Sequence, residues 1–144
     1  LFSPDSQRVA YLARTGPTEK VSQRVYVDGE PDDVELEFLV SGTTFRSDSK
    51  RLAYGGRRGN RFFLVVDGIK GDEYDALGHS EFSADGKHVV FAALKGKKFV
   101  IVLDGKERAE YTSVGAGPVF RSDGVFEYLV AEKPSLYRVE VTGF

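Results

Sequence analysis

One short phrase occurs four times in this chain, and that repetition constrains the fold more than any single residue does. It reads FSPDSQRVAY from Phe2, FRSDSKRLAY from Phe45, FSADGKHVVF from Phe82 and FRSDGVFEYLV from Phe120. The phenylalanines are spaced 43, 37 and 38 residues apart. A second phrase keeps the same period: VYVDGEPDDVE from Val25, VVDGIKGDEYDALG from Val65 and VLDGKERAEYTSVG from Val102. A fixed period of this size marks a stacked or radial array of one supersecondary unit. The fourth copy drifts after Gly124 and reads as carrying one inserted residue there.

Each unit is written in strands. Val9–Ala13, Leu52–Tyr54 and Val89–Ala93 are short β-rich runs, and Phe62–Val66 and Phe99–Leu103 are apolar without alternation. Unbroken apolar strands are those covered on both faces. The aspartates between the runs belong to turn chemistry, because Asp-Ser and Asp-Gly tolerate φ > 0 and cap backbone N–H groups. Eleven Phe, seven Tyr and sixteen Gly fit strands joined by turns, and no amphipathic helical stretch of useful length is present. The expected fold is all-β: a β-propeller or partial propeller of about four repeats with four-stranded antiparallel blades. Residues 1–144 form one array, in units of about 1–42, 43–79, 80–117 and 118–144, the last lacking its outer strand. Within a blade, strand A ends at the FSPD phenylalanine, B is the RVAY run, C the FFLVVDG run and D the EYDAL run. Small residues at Ala10, Ala53 and Ala92 let neighbouring sheets approach.

These phrases resemble the signature of WD40-like, TolB-type β-propeller repeats, close to F-S-P-D-G-K-R-[IV]-A-[YF]. They are also similar to blades in the propeller domains of prolyl-oligopeptidases and dipeptidyl-peptidases. The resemblance covers essentially the whole chain and departs from the pattern at Ala84, Arg46, Arg121 and around Val125. It implies the fold and suggests a periplasmic or extracellular setting, but it does not fix a function. Three closures are open: part of a longer propeller, a half-propeller that completes its ring with a second copy, or a lone four-bladed ring. The chain has no Cys and no Met, starts at Leu1, and has no apolar run near the ~20 residues of a membrane span.

Candidate chemistry is sparse. Ser83, Asp85 and His88 stand within six residues, just after Gly78-His79-Ser80, and His79 and His88 are the only histidines. A nucleophile elbow needs G-x-S-x-G between a strand and a helix, whereas Phe82 holds the last position and a strand follows. Asp5, Asp48, Asp85 and Asp123 recur at the fold period and read as turn caps, as do Asp28, Asp67 and Asp104. Calcium needs six to eight oxygens, and each turn offers one carboxylate, so no metal or cofactor is expected. Lys95-Gly96-Lys97-Lys98-Phe99 beside Arg61-Phe62-Phe63 has a nucleic-acid flavour, but these phenylalanines open buried strands, so no nucleic acid is expected.

Charge is more informative than any catalytic pattern. The net charge is −2, yet the B–C segments hold Arg57, Arg58, Arg61, Lys95, Lys97 and Lys98, while Asp28–Glu37 alone has six acids. A basic loop face of this kind attracts an anionic partner. The sequence therefore points to a non-enzymatic binding or scaffold module that engages a protein partner, an acidic one, or a second copy of itself. The rival is a gating propeller fragment of a prolyl-oligopeptidase-type serine peptidase.

Overall fold

The computed structural model describes residues 1–17 and 22–144, without the side chains of Thr15, Ser41 and Thr43. The described residues form fourteen strands and no helix, arranged as four sheets. They divide into two compact units, Leu1–Glu73 and Tyr74–Phe144.

The first unit opens with β1 (Ala10–Thr15), β2 (Ser22–Val27) and β3 (Glu30–Leu36), hydrogen-bonded in that order. Phe2 bridges Val9 on the far side of β1. The next sheet runs β4 (Phe38–Phe45), β5 (Leu52–Arg58), β6 (Arg61–Val66) and β7 (Ile69–Tyr74), also in chain order. The second unit repeats the plan with β8 (Ala76–Phe82), β9 (Val89–Lys95), β10 (Lys98–Leu103) and β11 (Lys106–Tyr111). It ends with the three-stranded sheet β12 (Val114–Phe120), β13 (Phe126–Glu132) and β14 (Ser135–Val141).

Burial explains the residue choice. The first five residues of β5 and of β9 are all buried, so these strands carry apolar or small side chains on both faces. Outer strands β7 and β11 are exposed over most of their length and carry Lys70, Asp72, Glu73, Glu107, Arg108 and Glu110. Charge along a sheet edge discourages pairing with stray strands. Gly56 sits on β5 because a Cβ there would stand 2.8 Å from the Phe63 ring, and Phe63 is fully buried.

Each unit has its own apolar core between its two sheets. In the first, Ala10, Val25, Val34 and Leu36 pack with Leu52, Tyr54, Phe63 and Val65. In the second, Val90, Ala92, Ile101 and Leu103 meet Phe126, Tyr128 and Val130. Ala10, Ala53 and Ala92 are all buried.

Some local expectations shift. The outer strand of the second sheet is Ile69–Tyr74, so the EYDAL run straddles two sheets and Ala76 opens the next one. Boundaries at 42/43, 79/80 and 117/118 fall inside β4, β8 and β12. The reason is that an A strand starts well before the phenylalanine that makes it recognisable. The fourth turn is shorter by one residue, not longer. Arg121 N–H donates to Val125 C=O, four residues on, whereas Ser3, Arg46 and Ser83 donate to Arg8, Arg51 and His88, five on.

Candidate functional site

The turn aspartates come in two sets, and hydrogen bonds distinguish them. Asp5, Asp48, Asp85 and Asp123 each accept the backbone N–H two residues on, from Gln7, Lys50, Lys87 and Val125. Asp5 and Asp85 also accept a hydroxyl at 2.6 Å, from Ser3 and Ser83. Those hydroxyls, then the backbone donors, hold both carboxyls below the usual aspartate range. Asp48 and Asp123 instead meet Arg46 and Arg121.

Asp28, Asp67 and Asp104 have φ of 54°, 50° and 51°, and the glycine after each is also at positive φ. Two successive positive φ values define a type I′ hairpin turn. Each carboxylate then reaches back to the start of strand B. One oxygen accepts the N–H of Val9, Leu52 or Val89. The other takes Arg8 Nε at 2.8 Å, Arg51 Nε at 2.8 Å or His88 Nδ1 at 2.7 Å. The Arg8 guanidinium, with the Val9 N–H, pulls Asp28 below the usual carboxylate range.

This clamp assigns His88. The His88 side chain is only 26% exposed, and it replaces the arginine of the other two clamps. Its imidazole contacts Asp104 and meets Phe144 edge-on, ring centroids 5.0 Å apart. Ser83 Oγ is engaged elsewhere, donating to Asp85 and accepting the His88 N–H. His79 lies on β8, largely exposed and 3.8 Å from Glu81. Position matching within the chain could have found the clamp: Arg8, Arg51 and His88 stand one period apart, and so do Asp28, Asp67 and Asp104. In the fourth copy both members change together, to Val125 and Val141. There Arg121 instead meets Glu140 at 3.0 Å and Glu127 at 3.7 Å.

The basic residues cluster at two hairpins. On β5–β6, Arg58 pairs directly opposite Arg61; on β9–β10, Lys95 pairs opposite Lys98. Neighbouring strands temper this charge. Arg57 lies over the Phe38 ring at 4.4 Å, and Arg58 and Arg61 donate to the carbonyls of Glu35 and Glu73. Lys95 reaches Glu107 at 2.8 Å and Lys98 reaches Glu110 at 3.0 Å. For Lys97, at the tip, no ion pair is seen among the described residues. The acids arrive because strand D returns antiparallel along C. Glu35 and Glu37 begin in an acidic segment and end at the opposite hairpin, where Glu35 meets Arg24 and Glu37 accepts the Gly59 N–H.

Buried hydroxyls complete the polar inventory. Tyr54 donates to Asp32 at 2.8 Å, and burial plus that acceptor pushes its phenol up. Tyr128 pairs with the Tyr111 hydroxyl at 2.9 Å, and burial raises it too. Among the described residues no group of three or more metal-ligating side chains gathers, and no helix is long and apolar enough to cross a membrane. Comparison with family models, with curated proteins and with solved structures found no match.

Proposed function

We propose that the chain is a β-propeller segment of TolB-like type, serving as a non-enzymatic binding or scaffold module for a protein partner. The observation that carries this reading is a contrast between the two ends of the sheets. At one end, the same carboxylate turns close sheet after sheet with the same hydrogen bonds. At the other, the described hairpins differ from sheet to sheet: Gly59-Asn60, Gly96-Lys97 and Lys133-Pro134. A constant scaffold that presents variable loops is the usual arrangement of a recognition surface. Two of the hairpins also set like charges directly across the ladder, which works against sheet stability. Attraction of an acidic partner accounts for like charges placed there.

The test uses Arg57→Glu, Arg58→Glu, Lys97→Glu and Lys98→Glu together, all at exposed or half-buried hairpin positions. Wild-type protein should be retained on an immobilised polyglutamate matrix and released by salt. The charge-reversed protein, with an unchanged circular dichroism spectrum, should pass through at low salt. Equal retention of the two proteins would remove the basic hairpins from the reading.

A further inference from the structure

A guanidinium group is part of the scaffold in one unit and is missing from the same place in the other. In the first unit, Arg8 does more than hold Asp28. Its Nη1 extends to the next sheet and donates to the Ser49 and Lys50 carbonyls, at 3.4 and 3.1 Å. Beside it, the Asp5 N–H donates to Ser49 Oγ at 3.0 Å. Together these bonds join the A–B turns of two adjacent sheets.

The second unit has trimmed each of these parts. His88 keeps the near half of the arginine's work, its bond to Asp104, but an imidazole has no second nitrogen that extends as Nη1 does. Gly124 replaces Ser49, so no hydroxyl is available for the Asp85 N–H. The one-residue deletion removes the counterpart of Lys50. What remains is a cavity of about 400 Å³, lined by Ser83, Asp85 and His88 of one sheet and by Ser122, Asp123 and Phe144 of the next. Asp85 spends one oxygen on Ser83 and Lys87, and its other oxygen accepts no hydrogen bond among the described residues.

We infer that this cavity binds a guanidinium group, in the place that Arg8 fills within the first unit. A planar fork can donate to a carboxylate and a carbonyl at once, and an ammonium cannot reproduce that geometry. Asp85 and the backbone of the fourth turn supply acceptors, and the Phe144 ring supplies a surface on which such a cation rests. The group is an arginine side chain of a partner or a free guanidinium compound. This site goes beyond the basic hairpins and does not depend on them.

The experiment titrates ¹⁵N-labelled full chain with L-arginine, with a Gly-Arg-Gly peptide, with L-lysine and with inorganic phosphate. Saturable shifts of the Gly124 and Asp85 amides should follow arginine or its peptide and not lysine. Tighter binding of the peptide assigns the group to a partner chain, and tighter binding of the free amino acid to a small ligand. His88→Arg should fold, because arginine already occupies that position in two clamps, and should weaken binding at least tenfold by filling the cavity from within. Gly124→Ser, which restores the hydroxyl of Ser49, should weaken it less. The inference is overturned by absence of saturable arginine shifts, by equal response to lysine, by a response to phosphate alone, or by undiminished binding in His88→Arg. A reversed charge at Lys97 and Lys98 should leave these shifts unchanged, so the two surfaces are tested separately.

Discussion

The two units solve the same packing problem with different polar joints. In the first, a fixed cation, Arg8, ties the Asp28 turn to the next sheet, and a buried phenol, Tyr54, donates to a carboxylate. In the second, His88 stops at its own sheet, and Tyr128 finds only another hydroxyl. Charge-assisted bonds are shorter and stronger than neutral ones. The first unit therefore relies on electrostatic joints, while the second relies more on aromatic packing. Phe144 sits 5.2 Å from Phe126 and 6.0 Å from Phe120, centroid to centroid.

The largest effect that probes this comparison lies in the cores. Phe63→Ala in the first unit and Phe126→Ala in the second each remove a fully buried ring and should cost about 3–5 kcal/mol. Urea unfolding followed separately by NMR signals from each unit distinguishes the cases. Loss confined to the mutated unit would show that the units unfold independently, whereas coincident loss would make them one cooperative body.

A smaller difference separates the buried phenols. Tyr54→Phe leaves the Asp32 carboxylate without its phenol donor and should cost about 1–3 kcal/mol, while Tyr111→Phe, at a neutral and partly exposed pair, should cost about 1 kcal/mol or less. Thermal denaturation of the two variants ranks them. Equal shifts in melting temperature would end the claim that the first unit leans on charge-assisted joints.

Acid should produce the mildest and most graded effect. Asp5, Asp28 and Asp85, with Glu35 and Glu73 on the outer strands, are all held below their ordinary pKa. A carboxyl depressed by folding contributes stability above its unfolded pKa and loses it as pH falls through the folded value. The melting temperature should be level above about pH 5 and decline below about pH 4. In Asp28→Asn the decline should be shallower; a slope identical to wild type would show that the Arg8 clamp contributes nothing to it.

Much of the fold could be read from the chain, because local rules wrote it four times. The turn aspartates announced themselves by spacing, since only residues that tolerate positive φ or cap a turn recur at such places. The buried strands announced themselves by unbroken apolar runs. The candidate sites were less legible. Arg57, Arg58, Arg61, Lys95, Lys97 and Lys98 could be found as a basic set, but their ion partners could not, because Glu107 and Glu110 reach them only across a strand pairing. The cavity beside His88 had no signature of its own. It arises from one substitution, one deletion and one lost hydroxyl that lie up to 36 residues apart in sequence and meet only when two sheets pack.

The sequence by itself determined the all-β character, the turn positions and the period, since each depends on backbone preferences and burial patterns a few residues long. Tertiary structure alone decided which charges cancel and where a cavity is left. Those outcomes depend on distances of about 3 Å between residues far apart in the chain, and such distances exist only after sheets align in register and pack face to face.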